Sequence, residues 1–100
     1  MISEEAKSVI ENSPFIALVT IDPDGTPHPI ILGKGEVQDD NVVFGVYKME
    51  KTQRNIAQNS NTWFVAAVKD DGPKGYRFSG TAAFEDKKLI FKVSTVEELL

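Results

Sequence analysis

The segment Val42-Val43-Phe44-Gly45-Val46-Tyr47-Lys48-Met49-Glu50-Lys51-Thr52-Gln53-Arg54-Asn55-Ile56-Ala57 carries the reading of the chain. Val42 to Tyr47, β-branched and aromatic after a turn at Asp39-Asp40-Asn41, predict a strand. Between Met49 and Asn59 the β pattern lapses, and Ile56 and Ala57 sit among polar residues as on a short surface helix. Lys48, Lys51 and Arg54 therefore cluster where a helix begins, beside unsatisfied N–H groups and partial positive charge. Cations at that end are mildly unfavourable by themselves. A bound anion reverses the sign, with backbone N–H groups, the Thr52 hydroxyl and a lysine converging on one phosphate. Solvated helix residues are the plain alternative for the same spacing.

Working outward, Ser3 to Asn12 places Ala6, Val9 and Ile10 on one helical face, with Ser3 as cap, early glutamates, and Pro14 as the stop. Phe15 to Ile21 reads as a strand, Asp22-Pro23-Asp24-Gly25 as a turn, and Thr26 to Leu32 as the return strand. Pro27 and Pro29 cannot donate to a ladder and predict that this strand starts at a sheet edge. Further strands are predicted at Thr62 to Val68, Tyr76 to Phe84 and Lys88 to Val93, with a charged, glycine-bearing loop from Lys69 to Gly75. Trp63 and Phe64 fall on opposite faces of one strand, while Tyr76 and Phe78 share a face of the next. Ser94-Thr95-Val96-Glu97 has the form of a capping box, which leaves that end open between a helical turn and an extended tail. The sum is one domain, mainly β with short helices: a small six-stranded antiparallel barrel.

At 100 residues the chain suits one compact domain, whose thin core would gain from dimerisation. Its 41% apolar and 26% charged residues are those of a globular protein. A net charge of -4 argues against a general nucleic-acid binder. The apolar runs, such as Ile16 to Val19, fall far short of the ~20 residues that span a bilayer. With an acidic start and no cysteine, the expectation is a cytoplasmic protein without disulfide, thiolate metal site or cysteine nucleophile.

Familiar catalytic constellations are missing. His28 is the single histidine and lies between two prolines, a position more often at a surface or edge than at a catalytic base. Asp22, Asp24, Asp39, Asp40, Asp70 and Asp71 all fall in predicted turns, where solvation explains them, so no acid–base pair and no metal site is assigned.

The run from Gly45 to Val68, strand, lysine, Asn55-Ile56-Ala57 helix and following strand, resembles the core of the pyridoxamine 5'-phosphate oxidase-related, FMN-binding split-barrel family. Ala17-Leu18-Val19-Thr20 with Asp24-Gly25 and Pro27-His28 resembles its first hairpin, and Asp71-Gly72-Pro73 with Gly75 to Phe84 resembles its small-residue Gly-Thr-Ala strand. The likeness covers roughly residues 10 to 93, and the order of the pieces is more specific than any one of them. It implies a split barrel, noncovalent FMN, and a homodimer with a flavin at each end of the interface. Carried over by position, it implies that Lys51 and Thr52 hold the FMN phosphate. Ile30, Ile31, Leu32, Val46, Tyr47 and Met49 would flank the ribityl chain and isoalloxazine.

Two departures bear on this. Ile30, Ile31 and Leu32 are apolar where flavin-binding relatives often carry polar residues, which leaves ring contacts to backbone groups. Phe84 runs almost directly into the strand at Lys88, where relatives commonly insert a helix, so part of the cofactor wall or substrate lid is absent. The expected function is an FMN-dependent oxidoreductase or electron-transfer protein, with the flavin supplying the redox chemistry. A flavin-free small-ligand binding or interaction module is the alternative. Oxidation of pyridoxamine phosphate ranks last, because no second basic pocket for a substrate phosphate is evident.

Overall fold

The computed structural model describes residues 2–69 and 72–99, so Asp70 and Asp71 lie outside the described residues. Helix α1 (Glu4–Asn12) opens on Ser3, whose hydroxyl accepts the Ala6 N–H at 3.1 Å. Its buried face is Ala6, Val9 and Ile10, as the spacing predicts. At its end, buried Ser13 donates its hydroxyl to the Val9 carbonyl (2.6 Å), with the Ala67 carbonyl oxygen 3.0 Å away.

The strands follow as β1 (Ile16–Ile21), β2 (Pro27–Leu32), β3 (Gly35–Gln38) and β4 (Asn41–Gly45), then helix α2 (Glu50–Gln58), β5 (Asn61–Val68), β6 (Lys74–Glu85) and β7 (Lys88–Glu98). They form one antiparallel sheet in the order β2-β1-β5-β6-β7-β4-β3, curled into the half-barrel of a split-barrel fold. Strand β2 lies at the sheet edge, where the two prolines predict it.

Three sequence expectations need correction. There are seven strands rather than six: β3, Gly-Glu-Val-Gln, is too short and polar to announce itself, and it forms because it pairs with β4 and lies beside α1. The strand at Val42 stops at Gly45, so Val46 and Tyr47 fall outside it. The last strand runs past Val93 through Glu98, so of the two alternatives left open for Ser94 to Glu97 the extended one holds. Ser79 pairs with Thr95 but Gly80 with Val93, which leaves Ser94 as the extra residue of a β-bulge.

The core lies on the inner face of the sheet. Phe64 packs edge-on against Phe44 and Phe91, with centroids at 5.4 and 4.8 Å, and stacks on Phe78 at 4.5 Å. Tyr76 shares that face with Phe78, and its hydroxyl donates to Glu5 Oε2 at 2.8 Å, tying β6 to α1. That bond, with partial burial, pushes the tyrosine up to about 12; the same bond, helped by Lys74 and against the effect of burial, holds the Glu5 carboxyl below its ordinary value. Asp24, in the β1–β2 turn, is also lowered, chiefly by the Thr26 N–H that bonds it at 3.0 Å.

Candidate functional site

Between β4 and α2 the backbone does something Lys-Met would not choose. Lys48 and Met49 both adopt left-handed conformations, with φ of 61° and 59°. A non-glycine residue there costs on the order of 1–3 kcal/mol, and such strain clusters at functional sites. Gln53 holds the turn from both sides, its side-chain amide donating to the Lys48 carbonyl (2.7 Å) and its backbone N–H to the Met49 carbonyl (2.9 Å). A left-handed residue followed by the first helical residue turns successive N–H groups toward one point, an anion-binding concavity.

Helix α2 starts without a side-chain cap. The first N–H groups of a helix have no partner within it, and here Met49 offers them nothing. One step further in, Thr52 is 1% exposed and its hydroxyl oxygen has no hydrogen-bond partner. A buried orphan of this kind costs about 1–3 kcal/mol and needs an explanation. A ligand acceptor reaching the start of α2 would give it a partner. With Lys48 and Lys51 exposed beside it, the donor set suits a phosphate.

This helix start forms one wall of a groove of about 640 Å³, lined by His28, Ile30 and Ile31 from β2 and by residues 48 to 52. An adjoining groove of about 750 Å³ shares Lys48 and Glu50 with it and is lined on its far side by Val46, Tyr47, Phe84 and the β6–β7 turn. In that turn Asp86 and Lys87 are both left-handed, the geometry of a tight two-residue hairpin. Tyr47 is 81% exposed, with the Lys48 ammonium 5.7 Å from its ring centroid.

Of the residues expected at the site, Ile30, Ile31, Met49, Lys51 and Thr52 come together in the first groove. Val46 and Tyr47 line the second, and Leu32 is buried in the core. Arg54 leaves the cation cluster and pairs with Asp22 at 3.6 Å. Asp22 is correspondingly more than a solvated turn residue. Its carboxylate accepts from Asn55 Nδ2 at 2.8 Å; the same amide donates to buried Thr20 Oγ1 at 3.1 Å, and Asn55 Oδ1 accepts from Arg54 at 3.2 Å. Asn55 is fully buried, so this network fixes α2, and with it the groove wall, onto β1. The clue in the sequence is the spacing of Thr52, Asn55 and Ile56, which puts an asparagine on the buried stripe of a short helix. His28 and Glu50, which the sequence reading leaves out of the site, also face the first groove.

The family model for pyridoxamine 5'-phosphate oxidase matches residues 2–96. The chain belongs to that family. No curated protein matches it. Among solved structures the likeness is one of fold, at low identity. HupZ of Group A Streptococcus superposes with a TM-score of 0.84 at 22% identity, covering 99% of this chain and 94% of that one. An FMN-binding protein from Syntrophomonas wolfei gives 0.78 at 17%, with 97% and 85% covered. A heme binding protein from Mycobacterium smegmatis gives 0.81 at 14%, covering 96% of this chain and 52% of that one. Among the described residues no helix is long and apolar enough to cross a membrane.

Proposed function

We propose that this member of the pyridoxamine 5'-phosphate oxidase family binds FMN in the first groove and acts as an oxidoreductase or electron-transfer flavoprotein. The observation that carries the reading is the buried, unpartnered Thr52 hydroxyl at the uncapped start of α2. Thr52, Lys51 and the first N–H groups of α2 would hold the phosphate, and Ile30, Ile31 and Met49 would supply an apolar side to the ring. When bound, the flavin supplies the electron chemistry. The chain's own residues would bind the phosphate and keep water from one side of the ring, while the Asn55 network holds α2, which carries the phosphate contacts, onto β1.

The same reading includes a homodimer and a cytoplasmic location. Ile31, Ala17 and Val65 stand in register across the outer face of β2, β1 and β5, with Pro29, Val19 and Trp63 in the next row. That is a largely apolar sheet face open to a second copy. Ile31, 66% exposed, belongs to both this face and the groove, so a copy packed there would add a wall to the flavin site.

Titration with FMN and with riboflavin, which lacks the phosphate, tests the reading: FMN should bind clearly more tightly. If neither flavin changes flavin fluorescence or the melting temperature, the flavin reading is wrong. One observation favours a second reading, a flavin-free small-ligand module: the groove is apolar at Ile30 and Ile31 and contains the single histidine, a potential metalloporphyrin ligand. The visible spectrum after incubation with heme, with or without a Soret shift lost in His28→Ala, separates the two.

A further inference from the structure

A histidine is the side chain type whose charge changes between about pH 5 and 8. The only one in the chain, His28, lines the groove whose other wall carries the proposed phosphate site. It stands half-buried on edge strand β2, on the same face as Ile30. Its register partner is Thr20, whose hydroxyl is bonded at 3.1 Å by Asn55, on the same face of α2 as Thr52. His28 and the start of α2 are thereby held as opposite walls of one groove.

The charged groups around it are few. Strand β2 carries no other titratable side chain. Across the groove stand Lys48, Glu50 and Lys51, and at the end of β1 the Asp22–Arg54 pair compensates itself. Two lysines against one glutamate leave a single net positive charge in the groove lining, which a protonated imidazole doubles.

We propose that His28 is a third, pH-dependent cationic contact to the phosphate end of the bound ligand. Protonation tightens phosphate-bearing ligands and leaves those without phosphate unaffected. The inference rests on the flavin-phosphate reading and adds a regulation to it: retention of the cofactor rises as the surroundings acidify. The phosphate monoester itself passes from dianion to monoanion near about pH 6, which weakens the attraction. The effect is therefore read as the ratio of variant to wild-type dissociation constants, in which the ligand's own titration cancels.

The experiment titrates wild type, His28→Gln and His28→Lys with FMN and with riboflavin at about pH 5.5 and about pH 8, a span that brackets histidine titration. Thermal melts verify that each variant is folded. For FMN, His28→Gln should bind like wild type at the upper pH and about fivefold or more weakly at the lower, the size of one added charge at close range in a half-wet site. His28→Lys should match wild type at low pH and exceed it at high pH. Riboflavin ratios should stay flat. A pH-independent FMN ratio, or riboflavin ratios that move in parallel, overturns the His28 inference while leaving FMN preference over riboflavin intact. Absence of any flavin binding by wild type at either pH overturns both.

Discussion

Asn55 is the residue whose replacement should most clearly separate positioning of the site from its chemistry. In Asn55→Ala two donor bonds disappear, one to the neutral Thr20 hydroxyl and one to the Asp22 carboxylate. A neutral bond contributes roughly 0.5–1.5 kcal/mol and a charge-assisted one roughly 1.5–3. The Asp22 side chain is 28% exposed, so water recovers part of the second. The expected loss is about 2–3 kcal/mol of folding stability, which for a domain of this size lowers Tm by roughly 10–20 °C. Urea unfolding followed by Trp63 fluorescence measures it, and FMN affinity should fall in parallel because α2 carries the proposed phosphate contacts. Asn55→Asp keeps the shape but sets a second carboxylate against Asp22, so at pH 7 it should be at least as destabilising. The introduced acid holds its proton more tightly in the folded state than in the unfolded one. Protonation therefore favours folding, and the deficit should shrink as pH falls below about 5. An Asn55→Ala loss under about 1 kcal/mol, or an Asn55→Asp variant as stable as wild type at pH 7, would refute the view that this network anchors the helix.

Lys51→Ala should weaken FMN binding by roughly ten- to a hundredfold and hardly change riboflavin binding, since it removes one charge-assisted contact to the phosphate; equal losses would take Lys51 out of the site. Gly80→Ala should cost about 3 kcal/mol or more in denaturant unfolding, because a Cβ there collides with the Lys92 carbonyl at the bulge, which backbone cannot yield. In a Tyr47→Phe background, the tyrosinate absorbance of Tyr76 should appear near pH 12, and adding Glu5→Gln should bring it toward the ordinary value of about 10. Because the folded state holds the tyrosine proton more tightly and the Glu5 proton less tightly, this contact stabilises the protein fully from above the ordinary carboxylate range to about pH 10; it is lost as pH rises through the folded tyrosine value and as pH falls through the folded Glu5 value. Val65→Glu should yield a monomer by light scattering if the outer face of β1 and β5 forms the dimer, and an unchanged dimer mass would point to another interface.

Much of this fold is legible in the amino-acid sequence because local chemistry and tertiary role agree. Ser3 and Pro14 bracket α1, the prolines of β2 require an edge, and the alternation puts Trp63 and Phe64 on opposite faces and Tyr76 with Phe78 on one, leaving the structure to show that Phe64 and Phe78 are core. What stays hidden depends on partners distant in sequence. Strand β3 exists through β4 and α1, and the last strand continues past Val93 because β6 offers it a ladder to Glu98. The strand-to-helix change is readable, and Lys51 and Thr52, which the resemblance singles out there, do line the first groove, yet the left-handed pair at Lys48 and Met49 is not readable, because neither residue favours that backbone. Val46 and Tyr47, which precede that turn, line a separate groove. His28 reaches the first groove by strand pairing, which no spacing within its own segment reports.

Strand β7 sits between β6 and β4, and the β3–β4 hairpin joins the rest of the sheet through it. The hairpin precedes its sheet anchor by more than forty positions, so without β7 it has α1 beside it but no strand to pair with, and Val42 and Phe44 lack the cover that β7 gives. Strand β7 is thus the keystone of the sheet, and the contacts that close it are of high sequence separation. Shortening β7 from its far end toward Val93 should therefore unzip β6 first, whereas cutting into Lys88 to Phe91 releases β3 and β4 together.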